Sequence, residues 1–379
     1  MTGRPAFLLL AALLTCRCGL AQAATLTLPT RTSPPGASVL FPVSFQSHLS
    51  AVAGIQFDLE YDSSVLTLTA VAGDAARVSG KSIYLADIAP NRKRFLLGGL
   101  NQTPSADGTL LDLFVAIRSN APDGAYPLKL SSALATDPGG QPALILAYDG
   151  MLTVTKSAAP ASPLLPEGVR NAASLSPGPV APGEILTLLG AGLVDTAVAF
   201  DGVPGPLLYT SPSQINVIAP YALYGKTSTQ FQISRGNQPV AALTLPVSDT
   251  APGIFTLDGS GLGPGAILNQ DQHLNSPAHP AAKGSVITLF ATGAGQTYPP
   301  SVEDQIATGT LPQPLLPVSV QIGGLDAEVL YAGAAPGLVA ALLQVNCIVP
   351  INSTSGLSLP ITLVVGTRRS QTGVTLAVN

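Results

Sequence analysis

From about residue 166 onward the chain is written twice in the same order, and that duplication limits its architecture more than any other feature. Residues 182–190 (PGEILTLLG) recur as 283–291 (KGSVITLFA), and 198–202 (VAFDG) as 320–324 (VQIGG). Leu208-Tyr209 returns as Leu330-Tyr331, and Gln214-Ile215-Asn216 as Gln344-Val345-Asn346. Both copies then reach a proline, Pro220 or Pro350, and both end in a strand pair turned at Gly236 or Gly366. Self-similarity of this kind marks one supersecondary unit used twice. Each copy offers about six short β-prone runs, the content of a minimal immunoglobulin-like sandwich.

The N-terminal third also reads as β structure. In residues 54–71 (GIQFDLEYDSSVLTLTAV), Phe57, Leu59 and Tyr61 alternate with Asp58, Glu60 and Asp62, the period of a strand with one buried face. After the Asp62-Ser63-Ser64 turn, Val65, Leu66, Leu68 and Val71 resume an apolar run. Asp107-Gly108, Asp123-Gly124 and Asp149-Gly150 mark further turns, where glycine takes positive φ at little cost. No amphipathic helix longer than two turns stands among them. A Pro/Ala/Ser spacer at 156–166 separates this module, 24–155, from a first repeat at 167–257. A Gly-rich connection at 258–279 precedes the second repeat, 280–379, whose Pro-rich stretch 297–317 reads as a surface loop.

Arg4, the apolar run 7–14 and Ala21-Gln22-Ala23 together read as a secretory signal over residues 1–23. The run is far short of the roughly 20 residues that span a membrane. Thr15 and Arg17, just ahead of Cys16 and Cys18, argue against a lipoprotein anchor. With those two cysteines removed only Cys347 stays, in a strand-like setting that suits a buried, inert thiol, and no intramolecular disulfide can form. Charged residues are 10% of the chain, against about 25% in ordinary proteins, yet 46% are hydrophobic. Disordered chains combine the opposite extremes, so this one folds. A net charge of −4 with no basic stripe sets nucleic acid and anionic membranes aside as partners.

Further short strings extend the 54–71 pattern: 35–43 (PGASVLFPV), 95–97 (FLL), 107–110 (DGTL) leading into 114–117 (FVAI), and 149–154 (DGMLTV). Through them residues 24–155 resemble the cohesin module of secreted polysaccharide-degrading systems. The resemblance implies a nine-stranded jelly-roll sandwich and a protein partner, dockerin, a small calcium-loaded helical module carried on enzymes. In that family the strand before the Phe bears polar residues that contact the partner. The matching positions here are Gly54 and Gln56, neither an acid, with Asp58 and Glu60 further along the strand. Residues 166–379 are similar to the uncharacterised C-terminal domain of secreted acidobacterial (Solibacter-type) proteins, through 168–174 (GVRNAAS), 211–216 (SPSQIN), 251–255 (APGIF) and 266–271 (AILNQD). The expected fold class is all-β: a cohesin-like jelly-roll sandwich followed by two tandem immunoglobulin-like (TIG-like) sandwiches.

Catalytic signatures are scarce. His273 and His279 lack the spacing of a helical zinc pair, His48 falls in a turn, and no Gly-x-Ser-x-Gly elbow is present. The glycines at 259–265 lead into no helix and suit a linker better than a phosphate cradle. Asp58, Glu60 and Asp62 form the best carboxylate cluster, able to bind a cation or simply to solubilise an exposed sheet face. Flat aromatic rings stack on sugars, and with no Trp the available rings are Tyr84, Tyr126, Tyr221, Tyr224 and Tyr298. Tyr221 and Tyr224 follow a strand end and are the pair a stacking role would use, with packing the favoured alternative for both, whereas the duplicated Tyr209 and Tyr331 read as core. The expected protein is a secreted, non-catalytic binding or scaffolding chain without cofactor or metal, engaging a dockerin-like module, possible alternatives being direct carbohydrate binding or cell-surface adhesion.

Overall fold

The computed structural model describes residues 23–99, 101–156, 164–190, 193–236 and 238–379. The leader, with Cys16 and Cys18, and most of the Pro/Ala/Ser spacer lie outside the described residues. No described helix is long and apolar enough to cross a membrane.

Two sheets face each other in the first sandwich. One runs Ile145–Tyr148, Ala24–Thr27, Ser38–Gln46, Gly108–Ile117 and Leu66–Ala72 in spatial order. The other runs Thr30–Ser33, Gly150–Val154, Gly124–Thr136, Gly54–Glu60, Arg92–Gly98 and Ser82–Ala89. The first stretch of chain serves both sheets because Pro29, with no N–H to give a ladder, breaks it between Thr27 and Thr30. Period-2 alternation sends Ile55, Phe57 and Leu59 inward against Phe41, Phe45, Phe95 and Leu113. The Phe57 and Phe95 rings stack at 5.1 Å across neighbouring strands. A single short helix, Asp74–Val78, closes one end.

The duplicated half forms two further sandwiches of matching topology. Leu164–Asn171, Ile185–Gly190, Gln214–Ile218 and Leu207–Thr210 pair in that order, as do Gly253–Ile254, Val286–Thr292, Leu343–Ile348 and Val329–Ala334. The repeated Gln-x-Asn string has the same role in both copies. Asn216 Oδ1 accepts from Thr187 Oγ1 (3.1 Å) and Gln214 Nε2 (3.0 Å), and Asn346 Oδ1 accepts from Thr288 Oγ1 (3.0 Å) and Gln344 Nε2 (3.0 Å). Cys347 is free and fully buried in the last core, which pushes its thiol up to about 12.

Two expectations need correction. In the Gly-rich connection Ile267–Leu268 forms a strand paired with Val286–Thr292, as the β-prone run 266–271 suggests, and Gly263–Pro264 also runs parallel to Val374–Val378, so the segment completes the third sandwich. The end of the expected linker already belongs to the Leu164–Asn171 strand. Tyr209 and Tyr331 are not core, because each sits on an edge strand just past a register shift, which turns Tyr209 out to 51% exposure and leaves Tyr331 half-buried. The 297–317 excursion also carries a small ladder, Thr297–Tyr298 with Gln313–Pro314.

The first sandwich is locked to both repeats. Arg77 of the short helix is buried and reaches into the loop after Leu164–Asn171, donating to the carbonyls of Ser174 and Leu175 and to Ser176 Oγ. Arg170 answers from that side, pairing with Asp112 at 2.9 Å and lying over the Phe114 ring at 5.1 Å. Val71 and Phe114 pack there against Leu189. The loop 258–265 of the third sandwich adds a second contact, for Leu262 is buried as part of the first sandwich's core cluster. Gly261 makes that approach possible: its φ is +77°, and a Cβ there would fall 2.4 Å from the Ser174 carbonyl oxygen.

Between the repeats, Ile185, Ile218 and Ala341 form a buried apolar seam. Beside it Glu184 is wholly buried, its oxygens accepting from Asn171 Nδ2 (2.8 Å) and from the Ala181 amide (2.7 Å). Burial without a cation lifts this carboxyl to about 8, against the opposing pull of those two donors. It borders a cavity of about 240 Å³, but with both oxygens held it is a junction residue rather than a general acid. A folded-state pKa above the unfolded value of about 4.3 means a contribution that is full below pH ~4.3 and lost as pH rises toward 8. Glu184→Gln, which removes the ionisation, should therefore flatten the decline of the melting temperature between those limits. Thermal melts of both proteins across pH 4 to 9 (about the stable range) check this.

Candidate protein-docking face

One broad sheet surface of the first sandwich is left open. Its neighbouring strands Gly124–Thr136, Gly54–Glu60, Arg92–Gly98 and Ser82–Ala89 bring their outward residues into transverse rows. The first row is Leu134, Gln56, Leu96 and Tyr84, each the register partner of the next. Leu134 is 62% exposed, Leu96 43% and Tyr84 54%. Three large apolar side chains therefore stand in line on solvent, with Gln56 between two of them. Gly54 lies at the end of the same strand, where a Cβ would come within 2.7 Å of Thr136 Oγ1.

The next row is polar. Asp58 pairs in register with Ser131 and Arg94. Its carboxylate receives Arg94 Nε at 2.6 Å and Arg94 Nη2 at 2.9 Å, a two-point grip, and Arg92 Nη2 at 2.9 Å. Asp58 keeps no accessible side-chain surface, although only the guanidinium layer separates it from solvent. The Arg94 hydrogen bonds outweigh the desolvation, so the carboxyl is held below its usual range. Arg94 is shifted upward by the same bond. In the third row, Glu60 faces Lys129 and Arg92 and accepts from Ser131 Oγ at 3.0 Å.

This arrangement corrects the reading of Asp58, Glu60 and Asp62 as one exposed carboxylate cluster. Asp58 is covered by arginines from the adjacent strand, which the sequence of its own strand cannot reveal. Asp62 has left the strand and caps its own turn, accepting from the Ser64 amide at 2.9 Å. Among the described residues no group of three His, Cys, Asp or Glu side chains converges as a metal site.

The stacking pair also needs correction. Tyr221 is buried, its ring packed over Gly183, its amide donating to Glu303 Oε1 at 2.6 Å and its hydroxyl to the Ala340 carbonyl at 3.4 Å. The 297–317 excursion supplies Glu303, so an insertion in one repeat covers a side chain of the other. Only Tyr224 of the pair is exposed. Tyr126 is buried and donates to the Pro122 carbonyl, while Tyr298 is exposed on the small Thr297–Tyr298 ladder. His273 and His279 stack at 5.8 Å beside Asp271 on the surface, and His48 contacts Thr25 Oγ1.

Arg92, Arg94, Leu96 and Leu134 were not among the candidates read from sequence. The alternation in 92–97 (RKRFLL) holds the missing signal: Arg92, Arg94 and Leu96 share the face opposite Phe95 and Leu97, and two cations on that face call for carboxylates on the strand alongside.

The two-sheet core, the crossing first strand and the open four-strand face coincide with a match of residues 24–144 to the Cohesin domain profile. A cohesin domain is recognised there. Solved structures similar to the cohesin module include CaCohA2 from Clostridium acetobutylicum (24% identity, covering 36% of this chain and 94% of that one, TM-score 0.31). Another is the sixth cohesin of scaffoldin B from Acetivibrio cellulolyticus in complex with a Cel5 dockerin (20%, 35% and 100%, TM-score 0.32). A third is a non-cellulosomal cohesin from Archaeoglobus fulgidus (16%, 36% and 93%, TM-score 0.31). No curated protein matches the chain. Cohesin domains are non-catalytic protein-binding modules.

Proposed function

We propose that the chain is an exported, non-catalytic scaffold whose cohesin module docks a dockerin-like protein module on the Leu134–Gln56–Leu96–Tyr84 row, outside the cell and in the service of polysaccharide breakdown. The observation that carries this reading is the row itself: three exposed apolar side chains in register with Gln56 across four strands, with a buried carboxylate held by two half-exposed arginines beside them. Isolated surface leucines are ordinary, but an aligned group rimmed by polar residues is the pattern of an interaction site. The other face of the module is already occupied by the first repeat through Val71, Phe114 and Asp112. The two repeats then act as a mount that holds the open face outward.

Titration calorimetry of the mature chain with purified dockerin modules, in calcium and in chelator, tests this. Saturable one-to-one binding is expected, weakened about 100-fold or more by Leu96→Glu, which puts a charge in the middle of the apolar row. Absence of binding by every dockerin in both conditions, or binding indifferent to Leu96→Glu, would remove the reading.

A further inference from the structure

We propose that the cleft between the first sandwich and the first repeat binds an acidic saccharide, whose carboxylate pairs with Arg118 and Arg235 while its hydroxyls meet Thr67, Asn120 and Ser213. This goes beyond the docking reading and does not depend on it, because the cleft lies on the sheet opposite the Leu134–Gln56–Leu96–Tyr84 row.

The cleft exists because the contact between the two modules stops short. On the outer face of the sheet that holds Gly108–Ile117 and Leu66–Ala72, Val71, Asp112 and Phe114 lie against the first repeat. Further along the same two strands, the register partners Thr67 and Ala116 line an open space instead. The facing wall belongs to the first repeat and comes from the turn at Ser213 and the hairpin that carries Arg235. The space measures about 800 Å³, within the range of about 300–1,000 Å³ common for ligand pockets.

Its lining selects the chemistry. Two arginines border it and no Asp, Glu, His or Cys does, so an anion is favoured and a metal ion finds no ligand set. No aromatic side chain lines it either, which removes the platform that a nucleobase or a stacked neutral sugar needs. What remains is Thr67, Ser119, Asn120 and Ser213, whose hydroxyl and amide groups both donate and accept, as a polyhydroxylated ligand requires. A guanidinium takes a carboxylate in two parallel hydrogen bonds. Arg118 is exposed, and its guanidinium has no partner among the described residues. Its backbone is nonetheless fixed: the amide donates to the Val65 carbonyl at 3.0 Å, and the carbonyl accepts from the amides of Gly36 (3.3 Å) and Ala121 (3.1 Å). A charge carried on so firm a base loses less freedom when a ligand arrives.

The placement of charge along the chain supports the same reading. Residues 166–379 contain four arginines, Arg170, Arg235, Arg368 and Arg369, and all four border a cavity between modules. Arg235 does so from the hairpin turned at Gly236, and Arg368 and Arg369 from its duplicate turned at Gly366. The duplication thus sets a cationic hairpin at each junction of a chain whose net charge is −4. The smaller cavity, about 240 Å³, also contains Glu184, and its Arg170 is taken up by Asp112. The larger cleft is therefore the anion site.

Titration calorimetry of the mature chain tests this with trisaccharides of galacturonic, glucuronic and mannuronic acid, each beside its methyl ester, which keeps the shape and removes the charge. At least one acid should bind one-to-one, about tenfold or more tightly than its ester. Arg118→Gln and Arg235→Gln should each weaken that acid about fivefold or more. Both side chains are exposed, so neither substitution should disturb the fold. Arg31→Gln, which takes the same charge from the opposite sheet, should leave the affinity unchanged. Raising the salt from about 0.05 to about 0.5 M should weaken the acid and not the ester, a readout that needs no variant. Binding by none of the three acids, equal binding of acid and ester, or an equal loss with Arg31→Gln overturns the proposal. So does displacement by inorganic phosphate or a sulfated trisaccharide at equal concentration, which would mark a site for any oxyanion. The dockerin titration turns on Leu96 of the other sheet, so either reading can fall while the other stands.

Discussion

Asp58→Ala should lower the melting temperature of the cohesin module by about 5–10 °C, with Asp58→Asn falling roughly midway. Alanine removes the only carboxylate that both Arg92 and Arg94 grip and leaves two guanidinium groups on one strand face to repel each other. Asparagine keeps the shape and one acceptor but not the charge. The pH dependence distinguishes this from a simple packing loss. Asp58 is held below its ordinary range, so its contribution is present above the unfolded value of about 3.9 and disappears as pH falls through the lower folded value. The gap between wild type and Asp58→Asn should be constant well above the unfolded value of about 3.9 and close only as the pH falls below it through the lower folded value. A gap that persists in acid would show that shape, not charge, holds the arginines.

Arg77→Met should uncouple the cohesin module from the repeats. The side chain is buried, and its guanidinium donates within its own module to the Ala72 carbonyl at 2.9 Å and across the junction to the Ser174 and Leu175 carbonyls and Ser176 Oγ. Burial, with Arg170 nearby, lowers its pKa to about 10, which still leaves it charged at neutral pH. Methionine fills much of the volume but removes the Arg77 donor from the Ala72 and Ser174 carbonyls and Ser176 Oγ, leaving Leu175 to Arg170 Nη1 alone, a loss of about 3–5 kcal/mol. Scanning calorimetry of the mature chain should then resolve two transitions where the wild type gives one, and protease should cut near Ser174 at low dose. A single transition at the wild-type temperature would mean that the apolar contacts of Val71, Phe114 and Leu189 suffice alone.

Much of the architecture can be read from short-range patterns because β structure writes itself at a period of two. The outward and inward residues of Gly54–Glu60, the turns at Asp107-Gly108 and Asp149-Gly150, and the duplicated Gln-x-Asn strings are all local signals. The site was half legible for the same reason. Gln56 lies on the open face as its alternation requires, but Asp58 shares that parity and is buried, because its cover comes from a strand more than 30 residues away (|i−j| is 36 for the Arg94 bonds). Tyr221 illustrates the same limit, since what buries it is a loop of the other repeat. Tyr209 and Tyr331 mislead in the opposite direction: repetition suggests a core role, whereas the register shift that follows an edge strand is invisible in composition.

Leu262 gives the molecule a timetable. It closes the core of a module whose last strand, Gly150–Val154, lies more than a hundred residues earlier in the chain. A chain emerging from its N-terminus can pair those early strands at once, yet it cannot seal the module until the loop of the third sandwich arrives. Such a long-range closure slows folding and keeps an apolar surface open in the interval. The late-arriving leucine thus couples completion of the first sandwich to the arrival of the loop that opens the third.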